Sequence, residues 1–156
     1  MELSKVLCAV DFSEPSRAAI RYAADLARQY DAELELLHVY HVPGYAFPEG
    51  VVVAGPEVMN DLLTQIAESL EESRRFAITS GATRVTTTSV QGTPWTEIVR
   101  RAEERGHDLI VVGTHGRTGL THVLLGSVAE KVVRRAPCPV LTVRMPEASV
   151  SEQPAP

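Results

Sequence analysis

The sequence lacks the features of several large protein classes. Its 156 residues include two cysteines, Cys8 and Cys138, which form neither a Cys-x-x-Cys redox pair nor a disulfide framework. No apolar run approaches the ~20 residues that a membrane-spanning helix requires. The formal net charge of −5 disfavours general nucleic-acid binding, which usually needs a basic surface stripe. We therefore expect neither a membrane nor a nucleic-acid partner.

A secretory signal is also missing from the start of the sequence. Residues 2–5 lead directly into a strand-like apolar run, without the charged and apolar regions of a signal peptide. Each cysteine lies beside apolar strand residues, which is typical of small buried hydrophobic side chains. These observations lead us to expect a reducing, cytoplasmic location.

Several common phosphate-binding and hydrolase motifs are absent. No Gly-x-x-x-x-Gly-Lys sequence exists, so the chain has no Walker-type phosphate loop. No Gly-x-Gly-x-x-Gly follows the first strand, which disfavours a dinucleotide site. The triplet Gly126-Ser127-Val128 lacks the Gly-x-Ser-x-Gly elbow of serine hydrolases. Any nucleotide site in this chain must therefore use a different arrangement.

The chain does contain a regular alternation of strand-like and helix-like segments. Five strands are predicted near residues 3–10, 33–40, 84–90, 108–112 and 140–143, with four helices between them. This alternation predicts a doubly wound α/β fold, with a parallel sheet and helices on both faces. The length fits one domain over residues 1–145. A tail over residues 146–156 has no apolar pattern and is predicted to be disordered.

The polarity of the strands predicts their order in the sheet. The first and fourth strands are apolar on both faces, which is typical of central strands in parallel sheets. The third carries Thr86, Thr87, Thr88 and Ser89, and its polarity favours an edge. The order 3-2-1-4-5 satisfies both conditions.

In the first helix, helical spacing predicts a buried stripe of Ala19, Tyr22, Ala23, Leu26, Ala27 and Tyr30.

The segment after the second strand is predicted to be a long loop, from Pro43 to Pro56, because prolines and glycines punctuate it. Its apolar residues could cover a ligand or a partner subunit, and a crossover without a role is equally supported. They are Tyr45, Phe47 and Val51 to Val53.

His38 and His41, which precede this loop, are predicted to point to opposite faces of a strand, so a shared metal ion is not expected.

A glycine-rich stretch from Gly113 to Ser127 follows the apolar fourth strand and leads into the fourth helix. Gly113 would let the chain turn off the strand, and Gly116 would let the backbone approach a phosphate. Gly126 and Ser127 would place a helix N-terminus, with its N–H groups and partial positive charge, at an anion. Arg117 could add charge. The stretch predicts a nucleotide-phosphate site.

The predicted topology brings this stretch to the position where ligands bind in such folds. With the order 3-2-1-4-5, the connections diverge between the first and fourth strands, and ligands bind beyond their carboxyl ends. Asp11 ends the first strand and Gly113 ends the fourth. The net acidity of the chain opposes a triphosphate, so we expect a divalent cation such as Mg²⁺ to accompany it.

These motifs resemble those of the universal stress protein family, and in particular its ATP-binding branch. The spacing Gly-2x-Gly-9x-Gly-Ser, at Gly113, Gly116, Gly126 and Ser127, is similar to the glycine pattern of that branch. Residues 6–13, 108–113 and 136–141 are also family-like. The resemblance covers residues 3–144 and implies a five-stranded, adenine-nucleotide alpha-hydrolase-like fold.

The resemblance also implies a role for individual residues in binding ATP or AMP. Asp11 would contact the ribose or adenine side of the nucleotide. Val39 would hold adenine through its backbone, and Gly113 would lie at the ribose. The phosphates would be held largely by main-chain N–H groups of Gly116, Gly126, Ser127 and Val128.

Members of the family pair through the last strand, which implies a homodimer here. Val140 to Arg144 is predicted to be an edge strand with open N–H and C=O groups. Antiparallel pairing with a second copy across a two-fold axis would close that edge.

Three functions remain open on the sequence. The first is an ATP-binding regulator in the stress response, without efficient catalysis. The second is a slow ATPase or autophosphorylating enzyme, in which Ser127, Thr118 or Thr121 would accept a phosphoryl group. The third is an interaction module that uses no nucleotide, which the intact glycine pattern disfavours.

Overall fold

The computed structural model describes residues 2–42, 44–114 and 125–145. The strands are β1 (Lys5–Ala9), β2 (Glu33–Tyr40), β3 (Gly44–Phe47), β4 (Gly50–Val53), β5 (Val85–Gln91), β6 (Leu109–Gly113) and β7 (Val140–Val143). The helices are α1 (Glu14–Tyr30), α2 (Pro56–Thr79), α3 (Pro94–Arg105) and α4 (Ser127–Arg135). The predicted tail, residues 146–156, lies outside the described residues.

Five strands form one parallel sheet in the order β5-β2-β1-β6-β7. This is the predicted order 3-2-1-4-5, since β3 and β4 do not join this sheet. The threonine-rich strand β5 lies at one edge, as its polarity predicts. β7 lies at the other edge.

Helices cover both faces of the sheet, as predicted. Side chains of β1 alternate between the two faces: Val6 and Cys8 enter the core beneath α1 and α2. Leu7 enters the core beneath α3 and α4, together with Ile110 of β6. All four side chains are completely buried. Burial on both faces explains why the central strands are continuous apolar runs.

The first helix begins as the sequence predicts, because the Ser13 Oγ accepts a hydrogen bond from the Ser16 N–H and caps it. Its predicted buried stripe is only partly right. Ala19, Ala23 and Ala27 are buried, but Tyr22 and Tyr30 are each 56% exposed. The buried face turns instead toward Ser16, Ile20 and Ala24. Small side chains let this helix pack closely on the sheet, and the large tyrosine rings lie beside that contact.

The predicted loop from Pro43 to Pro56 contains an antiparallel hairpin, β3 and β4, so describing it as a loop was wrong. Two residues, Pro48 and Glu49, connect the paired strands. The prolines and glycines conceal two four-residue runs that contain aromatic and β-branched residues, which favour strands.

The length and hydropathy of the helices also bear on whether the chain could cross a membrane. Within the described residues, none combines the length and the apolar character that spanning a bilayer requires.

A buried ionic cluster joins the sheet to α3 at the amino-terminal end of β2. Glu35 accepts hydrogen bonds from Arg101 at 2.6 and 2.9 Å and from the Thr88 hydroxyl at 2.6 Å. Its second oxygen lies 3.2 Å from the Nε2 of His107. Burial disfavours the carboxylate, but the hydrogen bonds from His107, Arg101 and Thr88 outweigh this effect and lower the pKa of Glu35 to about 2.

We expect Glu35→Gln to destabilise the fold by roughly 2 kcal/mol at pH 7, because it leaves the Arg101 side chain, which is 25% exposed, without its counter-charge. The folded-state pKa of about 2 lies below the ordinary value of 4.5, so the carboxylate stabilises the fold above about pH 4.5. This contribution decreases as the pH falls from about 4.5 to about 2. Urea unfolding of both proteins over this pH range measures the difference in unfolding free energy.

A matched control is Glu71→Gln, because Glu71 pairs with Arg74 on the exposed surface of α2. Such surface pairs contribute about 0–1 kcal/mol. A Glu35→Gln variant as stable as Glu71→Gln at pH 7 would contradict the stabilising role of the cluster.

Candidate functional site

A cavity of about 340 Å³ opens at the carboxyl ends of β1 and β6. The chain leaves β1 into α1 on one face of the sheet and leaves β6 toward α4 on the other face. The two connections therefore diverge, which creates a crevice where ligands bind in folds of this type. The volume falls within the range of small-molecule sites, about 300–1,000 Å³.

Six of the eight predicted site residues line this cavity. They are Asp11, Val39, Gly113, Gly126, Ser127 and Val128. The other two, Gly116 and Arg117, lie outside the described residues. The cavity thus brings together residues from the ends of three strands and the start of one helix.

Asp11 follows β1 and is held by two serines of the next turn. Its backbone N–H donates to the Ser16 Oγ at 3.1 Å. Its Oδ1 accepts hydrogen bonds from the Ser13 N–H at 3.0 Å and from the Ser13 hydroxyl. These bonds fix both the backbone and the carboxylate of Asp11 relative to α1.

Gly113 ends β6 opposite the first turn of α1, and its role differs from the predicted one. Its backbone is extended, so it does not provide a turn in the left-handed region. A Cβ atom at this position would lie 3.1 Å from the Pro15 carbonyl oxygen and 3.4 Å from the Pro15 Cβ. Glycine is therefore favoured here, because the start of α1 packs directly against the end of β6 and a Cβ would force Pro15 to shift.

The N-terminus of α4 forms one end of the cavity. The helix begins at Ser127, as predicted, and its cap residue Gly126 supplies no side-chain hydrogen bond. The first N–H groups of a helix have no intrahelical acceptor, and they carry a partial positive charge. Gly126 is held in place by a hydrogen bond from its N–H to the Thr114 carbonyl. This end of the cavity can accept an anion.

Val39 lies at the opposite side of the cavity, on β2. The Leu37 carbonyl accepts the Val10 N–H at 2.9 Å, so Leu37 directs its backbone groups toward β1. Because backbone direction alternates along a strand, Val39 also directs its N–H and C=O toward that side. Because β1 ends at Ala9, which pairs with Leu37, the backbone N–H and C=O of Val39 face the crevice.

Other lining residues were missed by the sequence analysis. Thr114 and Ser16 are buried polar residues that contact predicted site residues. Pro94 and Ile98 come from the start of α3 and, with Leu37 and Ala129, make much of the wall apolar. The start of α3 could have been found from the topology, because α3 follows the carboxyl end of β5.

The charge of the site is small. Among the described lining residues, Asp11 carries the only carboxylate and none is lysine or arginine. No cluster of three or more metal-ligating side chains occurs in the described ranges. The site therefore combines an apolar wall, one carboxylate and a row of backbone donors, which suits a flat apolar group joined to an anion.

The comparisons with known proteins agree with this geometry. The model of the universal stress protein family matches residues 2–144. A universal stress protein of Methanocaldococcus jannaschii is 37% identical over 92% of this chain and 83% of its own length. The structure of the universal stress protein UspA from Lactobacillus plantarum superimposes with a TM-score of 0.78 and 28% identity. That match covers 92% of this chain and 99% of the Lactobacillus chain.

One further solved structure is a universal stress protein in complex with cAMP. It is 29% identical to this chain, with a TM-score of 0.71, and the match covers 92% of this chain and 98% of the other. The described part of our structure shares the fold of a protein that holds an adenine nucleotide.

We expect Gly113→Ala to destabilise the protein by about 1–3 kcal/mol, the usual effect of an added methyl group in a well-packed contact. The Cβ would push the Pro15 backbone away from β6. Chemical denaturation measures the change in unfolding free energy. Gly55→Ala is the control, since a Cβ at Gly55 meets nothing within 4 Å, and should change stability by less than about 1 kcal/mol. Equal stability of Gly113→Ala and wild type would contradict the close-contact role.

Proposed function

This chain belongs to the universal stress protein family, and we propose that it binds ATP or AMP as a nucleotide-dependent regulator in the stress response. The observation that carries the proposal is the cavity at the ends of β1 and β6. There, an apolar wall lies on one side and the N-terminus of α4 on the other. An adenine nucleotide has the matching arrangement of a flat base and a charged phosphate group.

The base would occupy the apolar side of the cavity. Leu37, Ile98 and Pro94 provide contact surface for a ring. The backbone N–H and C=O of Val39, directed into the crevice, would recognise the edge of adenine. A donor and an acceptor on one residue match the adenine edge, which presents both an amino group and ring nitrogens.

The ribose would lie between Asp11, which follows β1, and Gly113, which ends the neighbouring strand β6; both residues line the cavity. A carboxylate is a suitable acceptor for ribose hydroxyl groups. Since a Cβ at Gly113 would meet Pro15, this glycine would approach the sugar through its backbone. The hydrogen bond from the Ser13 N–H to the Asp11 carboxylate, and the one from the Asp11 N–H to the Ser16 Oγ, hold Asp11 in this position.

The phosphates would meet the N–H groups of Ser127 and Val128 at the start of α4. The Gly126 N–H already donates to the Thr114 carbonyl, so Gly126 would contribute close backbone approach at the phosphates and not a donor. We also assign phosphate contacts to Gly116 and Arg117, on the basis of the sequence pattern alone. Since the described lining residues contain no lysine or arginine, additional positive charge is needed for a triphosphate. Mg²⁺ carried by the phosphates would supply it, coordinated mainly by phosphate and water oxygens.

We assign binding, and not turnover, as the main activity of the site. Asp11 is the only carboxylate among the described lining residues, and our proposal assigns it to the nucleoside end. A general base for phosphate hydrolysis would have to reach a water beside the terminal phosphate. Nucleotide occupancy would instead alter the surface that other proteins recognise.

A cytoplasmic location would suit the two thiols. Cys8 and Cys138 are both unpaired, and burial raises the pKa of the Cys8 thiol to about 12. Burial also raises the pKa of Cys138. Neither thiol is therefore activated for redox chemistry, in keeping with a reducing compartment.

We further propose that two copies pair through β7. The Ile110 N–H donates to Pro139 at 3.0 Å and the Thr114 N–H donates to Val143 at 2.9 Å. By alternation, Val140 and Thr142 direct their backbone groups away from β6, toward the open edge of the sheet. These groups could pair with the same strand of a second copy, across a two-fold axis.

Calorimetry with ATP, AMP and cyclic AMP tests nucleotide binding. We expect the wild-type protein to bind, and Gly116→Val to lose binding by at least about tenfold, roughly 1.4 kcal/mol, because a side chain would block the backbone from the phosphate. Gly119→Val is the control, because Gly119 belongs to the same stretch but not to the glycine pattern. Circular dichroism checks that each variant is folded. Normal ATP binding by Gly116→Val would show that the phosphate assignment is wrong.

Sedimentation tests the dimer. We expect wild-type protein to sediment as a dimer at tens of micromolar, a concentration that suits modest interfaces. Thr142→Pro should convert it to a folded monomer, since proline removes an outward N–H and leaves the hydrogen bonds to β6 in place. Thr142→Val retains the N–H and should remain dimeric. A monomeric wild type, or a dimeric Thr142→Pro variant, would contradict pairing through β7.

A further inference from the structure

His38 lies on β2, directly before Val39, and its side chain is buried on the face that packs against α1 and α2. The residue is 8% exposed. Its Nδ1 lies 2.8 Å from the Val10 carbonyl oxygen. A carbonyl oxygen only accepts hydrogen bonds, so Nδ1 carries the proton in this contact. The imidazole therefore holds the backbone of the residue that precedes Asp11.

The same imidazole also contacts the residue that follows Asp11. The Phe12 ring is stacked on it, with ring centroids 4.3 Å apart and an interplanar angle of 30°. Phe12 has a φ of 65°, in the left-handed region that residues with a Cβ rarely adopt. Such a conformation persists only where the surrounding structure holds it, and it is often found at ligand sites. The stack on His38 is one contact that restrains Phe12, and its packing against the core beneath α1 and α2 is another.

One buried ring thus restrains both neighbours of Asp11: Val10 through a hydrogen bond and Phe12 through stacking. We propose that His38 is a positioning residue of the nucleotide site, which fixes the turn after β1 so that the Asp11 carboxylate is held ready for the nucleoside. This inference rests on the proposed function. It assigns His38 no contact with the ligand; the residue acts through Asp11.

Four variants separate the two contacts. His38→Asn retains an N–H donor near the position of Nδ1 but cannot stack. His38→Phe retains a ring for stacking but has no donor, and His38→Ala removes both. His41→Ala is the matched control, because His41 follows β2 closely, is exposed and does not line the cavity.

The first measurement needs no nucleotide. Hydrogen–deuterium exchange of the peptide over residues 7–17 reports the mobility of the turn. We expect faster exchange of this peptide in His38→Ala, intermediate exchange in His38→Asn and His38→Phe, and unchanged exchange in His41→Ala. Exchange in His38→Ala equal to that of wild type would overturn the positioning role.

The second measurement is a double-mutant cycle for ATP affinity. We expect His38→Ala to weaken binding about tenfold in the wild-type background and less than twofold in an Asp11→Ala background, because its effect requires Asp11. An equal loss in both backgrounds would overturn an action through Asp11. Wild-type protein that binds no adenine nucleotide would overturn the proposed function, whereas normal binding by His38→Ala would overturn only the positioning role.

A variant at Phe12 keeps the inference testable if His38→Ala does not fold. Glycine adopts a φ of 65° without strain, so Phe12→Gly relieves the backbone while removing the stack. We expect Phe12→Gly to be at least as thermally stable as Phe12→Ala, but both variants to bind ATP several-fold more weakly than wild type. Wild-type affinity in both variants would overturn the proposed link between the stack and the site.

Discussion

β1 is hydrogen-bonded to β2 on one side and to β6 on the other, and the chain leaves β1 and β6 toward opposite faces of the sheet. The cavity exists because of this divergence. It also sets the steric requirements at the cavity, since the start of α1 passes the end of β6 so closely that a Cβ at position 113 would force Pro15 to shift. A packing constraint and the wall of the cavity therefore share the same few residues.

The two ends of the sheet differ in whether their polar groups are hydrogen-bonded within the protein or border a cavity. At the amino-terminal end of β2, the Glu35 carboxylate accepts hydrogen bonds from Arg101 and Thr88 and lies beside His107. These contacts connect α3 to the sheet. At the carboxyl end, the first N–H groups of α4 and the backbone of Val39 face a cavity. The internal hydrogen bonds at this end instead restrain Asp11 and its neighbours. The Glu35 carboxylate thus finds its partners within the protein, whereas at the other end of the sheet backbone groups border a cavity.

The order of the main strands could be predicted because it depends on periodicity: Val6 and Leu7 alternate between two cores, and the threonines of β5 tolerate an edge. The hairpin β3–β4 was missed because its strand preference is interrupted by proline and glycine. Gly113 was predicted to provide a turn, whereas its backbone is extended and it contacts Pro15; this approach is a tertiary contact that the sequence does not show. His38 gave no sequence signal as a positioning residue, because its contact with Val10 joins residues 28 positions apart.

The central position of β1 also affects how the molecule is made. β1 and β2 can pair early, but the other edge of β1 has no partner until β6 leaves the ribosome, after most of the chain has been translated. At roughly 5–20 residues per second, this interval lasts several seconds. During this time an apolar strand with open hydrogen-bonding groups is exposed, a common starting point for aggregation. A newly synthesised chain therefore needs the residues from β6 onward before the cavity at the ends of β1 and β6 can form.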